Sequence, residues 1–257
     1  PTNKRLEKSI RSFCKGKEIH IKMVVEGSEM EKQKLGSVGG IKYMVDKLKI
    51  KEPLLLFAGD NLLNLNLKKF VNAYKGNLLL AVYDIKDKNK VANKYGNVVL
   101  NKAGQIIRFD EKPAKPETSL VSTGCYIFPP EALALLDDFL ASKEDGKRKD
   151  ALGFFCSYLL ERKKMTVDSF VFDEPWFDIG GRESYIDANL YYSKKDNYTG
   201  KNVKIENSKV KKSVILNDVT ITDCELEGCA VAEGAELTGV KLKNCLVGAG
   251  SKIKEIL

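Results

Sequence analysis

A sixteen-residue register runs through the C-terminal stretch VTITDCELEGCAVAEGAELTGVKLKNCLVGAGSKI, residues 219–253. One aliphatic column passes through Ile215, Ile221, Leu226, Val231, Leu237, Leu242, Val247 and Ile253. A second column, of smaller residues, passes through Val219, Cys224, Cys229, Ala235, Val240, Cys245 and Ser251. Both advance by steps of six and five that close on sixteen. Repetition at a fixed period signals a solenoid, with each strand stacked on its copy one turn away. A three-sided parallel β-helix with shortened corners accommodates the spacing, whereas a β-sandwich would not hold register so strictly. The β-helix is expected over 197–257 and a separate domain over 1–196. Cys224, Cys229 and Cys245 read as small inward residues of the stack.

Before the repeat the period alternates. KRLEKSIRSFCK, GGIKYMVDKL and NLKKFVNAYKG carry helical spacing, while IHIKMVVE, PLLLFAG and NLLLAVYDI read as strands. Such alternation predicts βα units and an α/β fold, Rossmann-like, on a mixed, mostly parallel sheet. YGNVVLNKAGQIIRFDEKP then reads as a hairpin turning at Lys102-Ala103-Gly104. SLVSTGCYIF is a further strand. Pro129-Pro130 opens the helix EALALLDDFLA, and the helix ALGFFCSYLLERK leads to the strand MTVDSFVF.

Composition narrows the function classes. The chain of 257 residues is 43% hydrophobic and 30% charged, enough for a sizeable core. Its net charge of +8 comes from lysines that alternate with acids, as in YMVDKLKIKE. No basic stripe interleaved with aromatics marks a nucleic-acid surface, and phosphorylated substrates stay compatible with the charge. No apolar run is long enough to span a membrane, so a cytoplasmic location is expected. The six cysteines show no CxxC pair and are expected as reduced thiols. One histidine, His20, lies in an alternating strand pattern, which leaves little for a zinc site.

Four segments place polar or glycine residues at or near strand ends, where open α/β sheets put ligand chemistry. KLGSVGGIK, residues 34–42, reads as a glycine-rich loop feeding a helix, a place where backbone approaches a ligand and the helix N-terminus favours negative charge. Gly59-Asp60-Asn61 follows the apolar run Leu54–Phe57 and is also ordinary turn vocabulary. In FDEKP, Glu111 can accept from sugar hydroxyls and Lys112 can neutralise a phosphate, or the two form a surface ion pair before a turn. In WFDIGG, Asp178 sits between Phe177 and Ile179, an unusual place for a solvent-facing acid. Asp60 and Asp178 are candidates for one divalent cation, since Mg²⁺ takes one or two carboxylates and completes its shell with waters and phosphates.

KLGSVGGIKY, LLFAGDN, YGNVV, FDEKP, STGCYIF and WFDIGGRESYIDAN occur in an order that resembles the sugar-1-phosphate nucleotidyltransferases. The chain is most similar to the glucose-1-phosphate thymidylyltransferase and nucleoside-diphosphate-sugar pyrophosphorylase group. The resemblance implies a nucleotidyltransferase domain followed by a short left-handed β-helix that joins subunits into a homo-oligomer. It also implies Mg²⁺-dependent attack of a sugar 1-phosphate on the α-phosphorus of a nucleoside triphosphate, with release of pyrophosphate. Gly36 would then lie against the base, and Asp60 and Asp178 would hold Mg²⁺. Tyr95, Gly96, Glu111, Thr123 and Gly124 would line the sugar, and Lys112 would meet its phosphate.

The chain departs from the pattern in places. Ser37-Val38-Gly39 stands where the family usually has Thr-Ala-Gly, and Gly181 stands where it has Thr or Ser. The family's first strand, its arginine-bearing glycine loop and a following lysine have no match before Ile19. That segment is expected to lie outside this numbering. The alternative is a non-catalytic regulatory or assembly subunit that binds nucleotide sugar or a catalytic partner. An acyltransferase role for the β-helix is disfavoured, since no histidine follows His20 to serve as its base.

Overall fold

Five consecutive residues, Leu78–Val82, are almost fully buried, and an apolar run of that length makes a central strand rather than an edge. The computed structural model describes residues 2–18, 20–25, 34–142 and 151–254. They divide into two compact units, Pro1–Leu56 with Leu67–Phe172, and Phe57–Asn66 with Asp173–Leu257. In chain order the first elements are α1 (Thr2–Cys14), α2 (Gly36–Leu48), β1 (Leu54–Phe57), β2 (Asn61–Leu63), α3 (Leu67–Ala73) and β3 (Leu78–Asp84). The hairpin β4 (Asn97–Leu100) and β5 (Ile106–Asp110) follows, then β6 (Leu120–Phe128). After these come α4 (Pro130–Leu133), α5 (Leu136–Ala141), α6 (Leu152–Glu161), β7 (Val167–Phe172), β8 (Trp176–Asp178) and α7 (Arg182–Ser193).

The first unit is an α/β layer on a mixed sheet ordered β5-β4-β6-β3-β7, with β1 also paired to β6. β3 runs parallel to β7 and antiparallel to β6. The expected hairpin is present: β4 and β5 pair antiparallel around a turn in which Gly104 N–H donates to the Asn101 carbonyl. Val38 and Ile41 of α2 and Phe155 and Leu159 of α6 bury against the sheet in one cluster with Leu80, Val82, Phe109 and Phe128. The strand expected over residues 19–26 does not form in its described part. His20–Val25 runs as irregular chain with Ile21 and Val25 exposed. Alternating sequence becomes strand only where a neighbour receives its backbone groups and packs its apolar face, and no ladder reaches these residues. Residues 19 and 26 lie outside the described set.

The C-terminal repeat is a parallel β-solenoid of three faces. Its strands are β9 (Tyr198–Thr199), β10 (Lys204–Glu206), β11 (Lys209–Lys211), β12 (Val214–Ile215), β13 (Thr220–Thr222) and β14 (Glu225–Glu227). The later turns add β15 (Ala230–Val231), β16 (Glu236–Thr238), β17 (Lys241–Lys243), β18 (Leu246–Val247) and β19 (Lys252–Lys254). The faces stack as β9-β12-β15-β18, β10-β13-β16-β19 and β11-β14-β17. Lys204 pairs with Thr220, Thr220 with Glu236 and Glu236 with Lys252, which is the sixteen-residue register read from sequence. Ile215, Val219, Ile221, Cys229, Ala235 and Leu237 fill its interior with no measurable exposure. All three solenoid thiols are unpaired.

Outside, like positions on successive turns alternate in charge. Glu227 meets Lys243 at 3.1 Å and Lys211 at 3.8 Å, and Glu225 meets Lys241 at 3.4 Å. Opposite charges facing across a ladder are mildly stabilising where like charges would repel. One corner shows why glycine is used: Gly228 has φ +62°, and a Cβ there would lie 2.6 Å from Asn244 Oδ1 on the next turn. α7 covers one face, where Ile186 packs on Val214 and Ala230, and Arg182 donates to the Gly228 carbonyl at 3.1 Å. The boundary expected at 196/197 therefore falls inside the second unit, downstream of α7. Among the described residues no helix is long and apolar enough to cross a membrane.

Leu237→Ala is expected to lower the stability of the solenoid by about 2–5 kcal/mol, because the vacated interior cannot collapse around the cavity. Lys243→Ala, which removes one exposed ion pair, is expected to cost less than about 1 kcal/mol. Urea titration of the two variants followed by circular dichroism checks the contrast.

Candidate active site

β5 ends at Asp110, and the next residue, Glu111, turns its carboxylate inward beneath α6. Room for it comes from two glycines. A Cβ on Gly153 of α6 would stand 1.9 Å from Glu111 Oε2 and 2.6 Å from the Phe109 ring. A Cβ on Gly96 would stand 2.7 Å from the same ring and 3.4 Å from Glu111 Oε2. Burial pushes the Glu111 carboxyl above its ordinary value, with adjacent Lys112 opposing the shift. The Tyr126 hydroxyl and the Cys156 thiol both feel the Glu111 charge and are themselves pushed up by burial. Glu111 also forms part of the wall of a cavity of about 360 Å³ with Asp110, Ser157, Tyr158 and Arg162. A half-buried carboxylate in a cavity wall is an acceptor for a ligand that brings hydroxyl groups.

Lys112 answers how neighbouring residues of one strand end take different directions. Its φ is +46°, a left-handed conformation that re-aims the side chain, and it is exposed while Glu111 is not. Thr123 and Gly124 sit where β6 bulges: Leu80 pairs with Tyr126 but Val82 pairs with Ser122. Gly124 has φ +75° there, and the buried Thr123 hydroxyl donates to the Ala81 carbonyl at 3.0 Å. Bulges beside ligand sites re-aim the local backbone. Gly96 accepts at its carbonyl from Ser122 N–H at 2.9 Å, which ties the Tyr95-Gly96 segment to that bulge.

The segment KLGSVGGIK is not a loop over most of its length. α2 begins at Gly36, and Gly39 and Gly40 lie inside the helix. Glycine disfavours a helix interior by about 1 kcal/mol, but Val38 and Ile41 are buried in the core, and that packing decides the outcome. Gly36, at φ +71°, is the residue that still has loop-like backbone.

The two candidate metal ligands belong to the second unit. β2 and β8 pair antiparallel, Asn61 opposite Asp178, Leu62 opposite Phe177 and Leu63 opposite Trp176. The Ile179 N–H donates to the Asp60 carbonyl at 2.8 Å and extends the ladder by one step. Asp60 and Asp178 thus stand on adjoining positions of one two-stranded ribbon. Asp60 Oδ1 accepts from Asn61 Nδ2 at 2.8 Å, and Asn61 Oδ1 accepts from Trp176 Nε1 at 2.6 Å. Those bonds fix the Asn61 amide and brace the Asp60 carboxylate. Among the described residues no cluster of three or more His, Cys, Asp or Glu gathers. Two hard carboxylate donors with the remaining positions open suit Mg²⁺, which keeps waters and substrate phosphates in its shell.

The structure therefore gathers Gly96, Glu111, Thr123 and Gly124 in the first unit, and in the second it sets Asp60 one residue before Asn61, the partner of Asp178 in the ribbon. Gly36, Tyr95 and Lys112 belong to the first unit. Two residues of consequence escaped the sequence reading. Asn61 was visible beside Asp60 but gave no sign that Trp176 would hold it. Gly153 looked like an ordinary helix residue.

An α/β unit on a mixed sheet hosts many activities, and the comparison with known sequences supplies the family. The profile of the Nucleotidyl transferase family matches residues 2–195, and the chain belongs to that family. Glucose-1-phosphate adenylyltransferases of Desulfitobacterium hafniense, from strain Y51 and from strain DSM 10664 / DCB-2, are each 28% identical to it over 182 residues. The aligned part is 69% of this chain and 45% of each relative, so the chain spans less than half the length of the curated relatives it matches.

Gly153→Ala is expected to drive the Glu111 carboxylate out of its place and cost about 1–3 kcal/mol, the usual penalty of overpacking. A thermal melt with a crystal structure of the variant checks both parts. Glu111 also predicts a pH dependence. Its folded value lies above the ordinary 4.5, so between the two the folded chain keeps a proton that the unfolded chain has released. Stability attributable to Glu111 is fullest below that window and falls as pH rises through it. Glu111→Gln is expected to flatten this slope in denaturant titrations run across the acidic range.

Proposed function

We propose that the protein transfers a nucleotidyl group from a nucleoside triphosphate to a sugar 1-phosphate, in a Mg²⁺-dependent reaction that releases pyrophosphate. The observation that supports this reading is the β2–β8 ribbon, in which Asp60 stands one step along from the Asn61–Asp178 pair, in a chain of the nucleotidyl transferase family. In the reaction a phosphate oxygen of the sugar 1-phosphate forms a bond to the α-phosphorus. The bond from that phosphorus to the bridging oxygen breaks, and pyrophosphate leaves with the electron pair. The protein's part in such a step is positioning and charge neutralisation.

Asp60 and Asp178 are the residues that would hold Mg²⁺, and Asn61 keeps the Asp60 carboxylate aimed. When bound, Mg²⁺ supplies positive charge against the phosphate oxygens. Glu111 accepts hydrogen bonds from sugar hydroxyls, and Tyr95, Gly96, Thr123 and Gly124 line the same ligand. Lys112, exposed and re-aimed by its left-handed backbone, meets the sugar phosphate. Gly36 offers backbone to the base.

The test is a pyrophosphate-release assay on the native full-length protein across nucleoside triphosphates and sugar 1-phosphates, with and without Mg²⁺. Asp60→Asn is expected to lower kcat by about 10²–10³, the size of a lost preorganised charge contact, with the fold retained. Intact Mg²⁺-dependent turnover in Asp60→Asn would remove that residue from the metal role. No release with any pair of substrates, alongside retained nucleotide-sugar binding, would favour the non-catalytic subunit reading.

A further inference from the structure

The second unit contains a cavity of about 500 Å³, within the range typical of small-molecule sites. The turn before β2 supplies Asp60, β2 supplies Asn61, α7 supplies Tyr185, Asn189 and Tyr192, and β9 supplies Tyr198. The remaining wall is aliphatic or small. Asp60 is the one charged side chain in the lining among the described residues. Among the described residues no lysine or arginine lines this cavity. The charge in the described wall is therefore negative, which suits a positively charged ligand.

Several donors of the wall bond within the protein. The Tyr192 hydroxyl donates to Asn64 Oδ1 at 2.8 Å, and Asn189 Nδ2 donates to the Tyr185 carbonyl at 2.8 Å. The Asn61 amide group donates to Asp60 itself. The cavity sets the Asp60 carboxylate among three tyrosine side chains, Tyr185, Tyr192 and Tyr198. Tyr192 is also held in place, with its ring centroid 5.3 Å from that of Tyr191 and 6.1 Å from that of Phe177. Aromatic rings attract a cation placed over their faces, and cages of such rings are the common means of holding quaternary ammonium groups.

We propose that this cavity binds a small organic cation, an alkylammonium whose charge meets Asp60 and whose methyl or methylene groups pack on the tyrosine rings. The binding does not depend on the proposed activity. Competition with Mg²⁺ at Asp60 would follow only if the metal role assigned above also holds.

Calorimetric titration of the full chain with choline, without Mg²⁺, nucleotide or sugar phosphate, tests the cavity apart from the reaction. Trp176, the one tryptophan, is bonded to Asn61 in the lining and gives a second readout by its emission. Choline and tetramethylammonium are expected to bind saturably, with Kd of about 1 mM or tighter. The neutral isostere 3,3-dimethyl-1-butanol is expected to bind at least about tenfold more weakly. Tyr192→Leu, at a residue 48% exposed and so tolerant of exchange, is expected to weaken choline about tenfold. Absence of saturable choline binding up to about 10 mM overturns the proposal. So does equal binding of the neutral isostere, or of adenosine in place of choline, or an unchanged Kd in Tyr192→Leu.

Discussion

Three backbone pairs, Asn61 with Asp178, Leu62 with Phe177 and Leu63 with Trp176, decide where much of this chain's chemistry sits. They take a short segment that follows β1 and attach it to a segment far along the chain, which is why residues 57–66 cluster with 173–257 and not with their sequence neighbours. Without that ribbon Asp60 would be a turn acid and Asp178 an acid lodged between apolar residues. With it, each carboxylate has a fixed neighbour, and the Asp60–Asn61–Trp176 chain of hydrogen bonds ties the acid to an indole on the paired strand. A two-stranded ribbon alone is only marginally stable in water. This one is buttressed by Phe177 against Tyr191 and Tyr192 of α7, and α7 in turn rests on the solenoid face at Val214 and Ala230. The repeat thus supports the acids indirectly, by giving α7 a rigid floor.

The first unit meets the opposite demand. Glu111 needs a place where water does not fully solvate it, and a place that does not leave it buried without recourse. Gly96 and Gly153 open that place and Phe109 roofs it. The resulting upward shift of the carboxyl reflects desolvation outweighing the attraction of Lys112. Lys112, with a left-handed backbone, is exposed. Two adjacent residues therefore sit at different depths.

What the sequence made legible follows from the range over which each signal acts. The solenoid register was plain because every turn repeats the same inward demand, so Ile221 and Leu237 identify one another without any outside information. Asp60 and Asp178 were legible as acids at the ends of apolar runs, and the family's ordered motifs drew attention to the same positions. Gly153 was opaque because its meaning is a distance to Glu111 across the fold, and a glycine in ALGFFCSYLLER looks only like a weak helix residue. Asn61 needed Trp176, more than a hundred positions away. The segment at 20–25 misled in the other direction, since its alternation has the period of a strand but finds no ladder. KLGSVGGIK misled because glycine content suggests a loop where buried Val38 and Ile41 enforce a helix.

The tyrosines of α7 show how one helix can serve two ends. Tyr191 and Tyr192 prop the ribbon through Phe177, and Tyr185 and Tyr192 wall a cavity in which Asp60 is the one charged residue among those described. A helix doing both must keep Tyr192 immobile, and the bond from its hydroxyl to Asn64 does so from within the same ribbon segment. Asp60 accordingly stands where the two proposals meet: with Asp178 it would hold a metal, and from the cavity it would meet an organic cation. A carboxylate so placed would have its charge satisfied from either side, and the cation bound would set the electrostatic field along the ribbon.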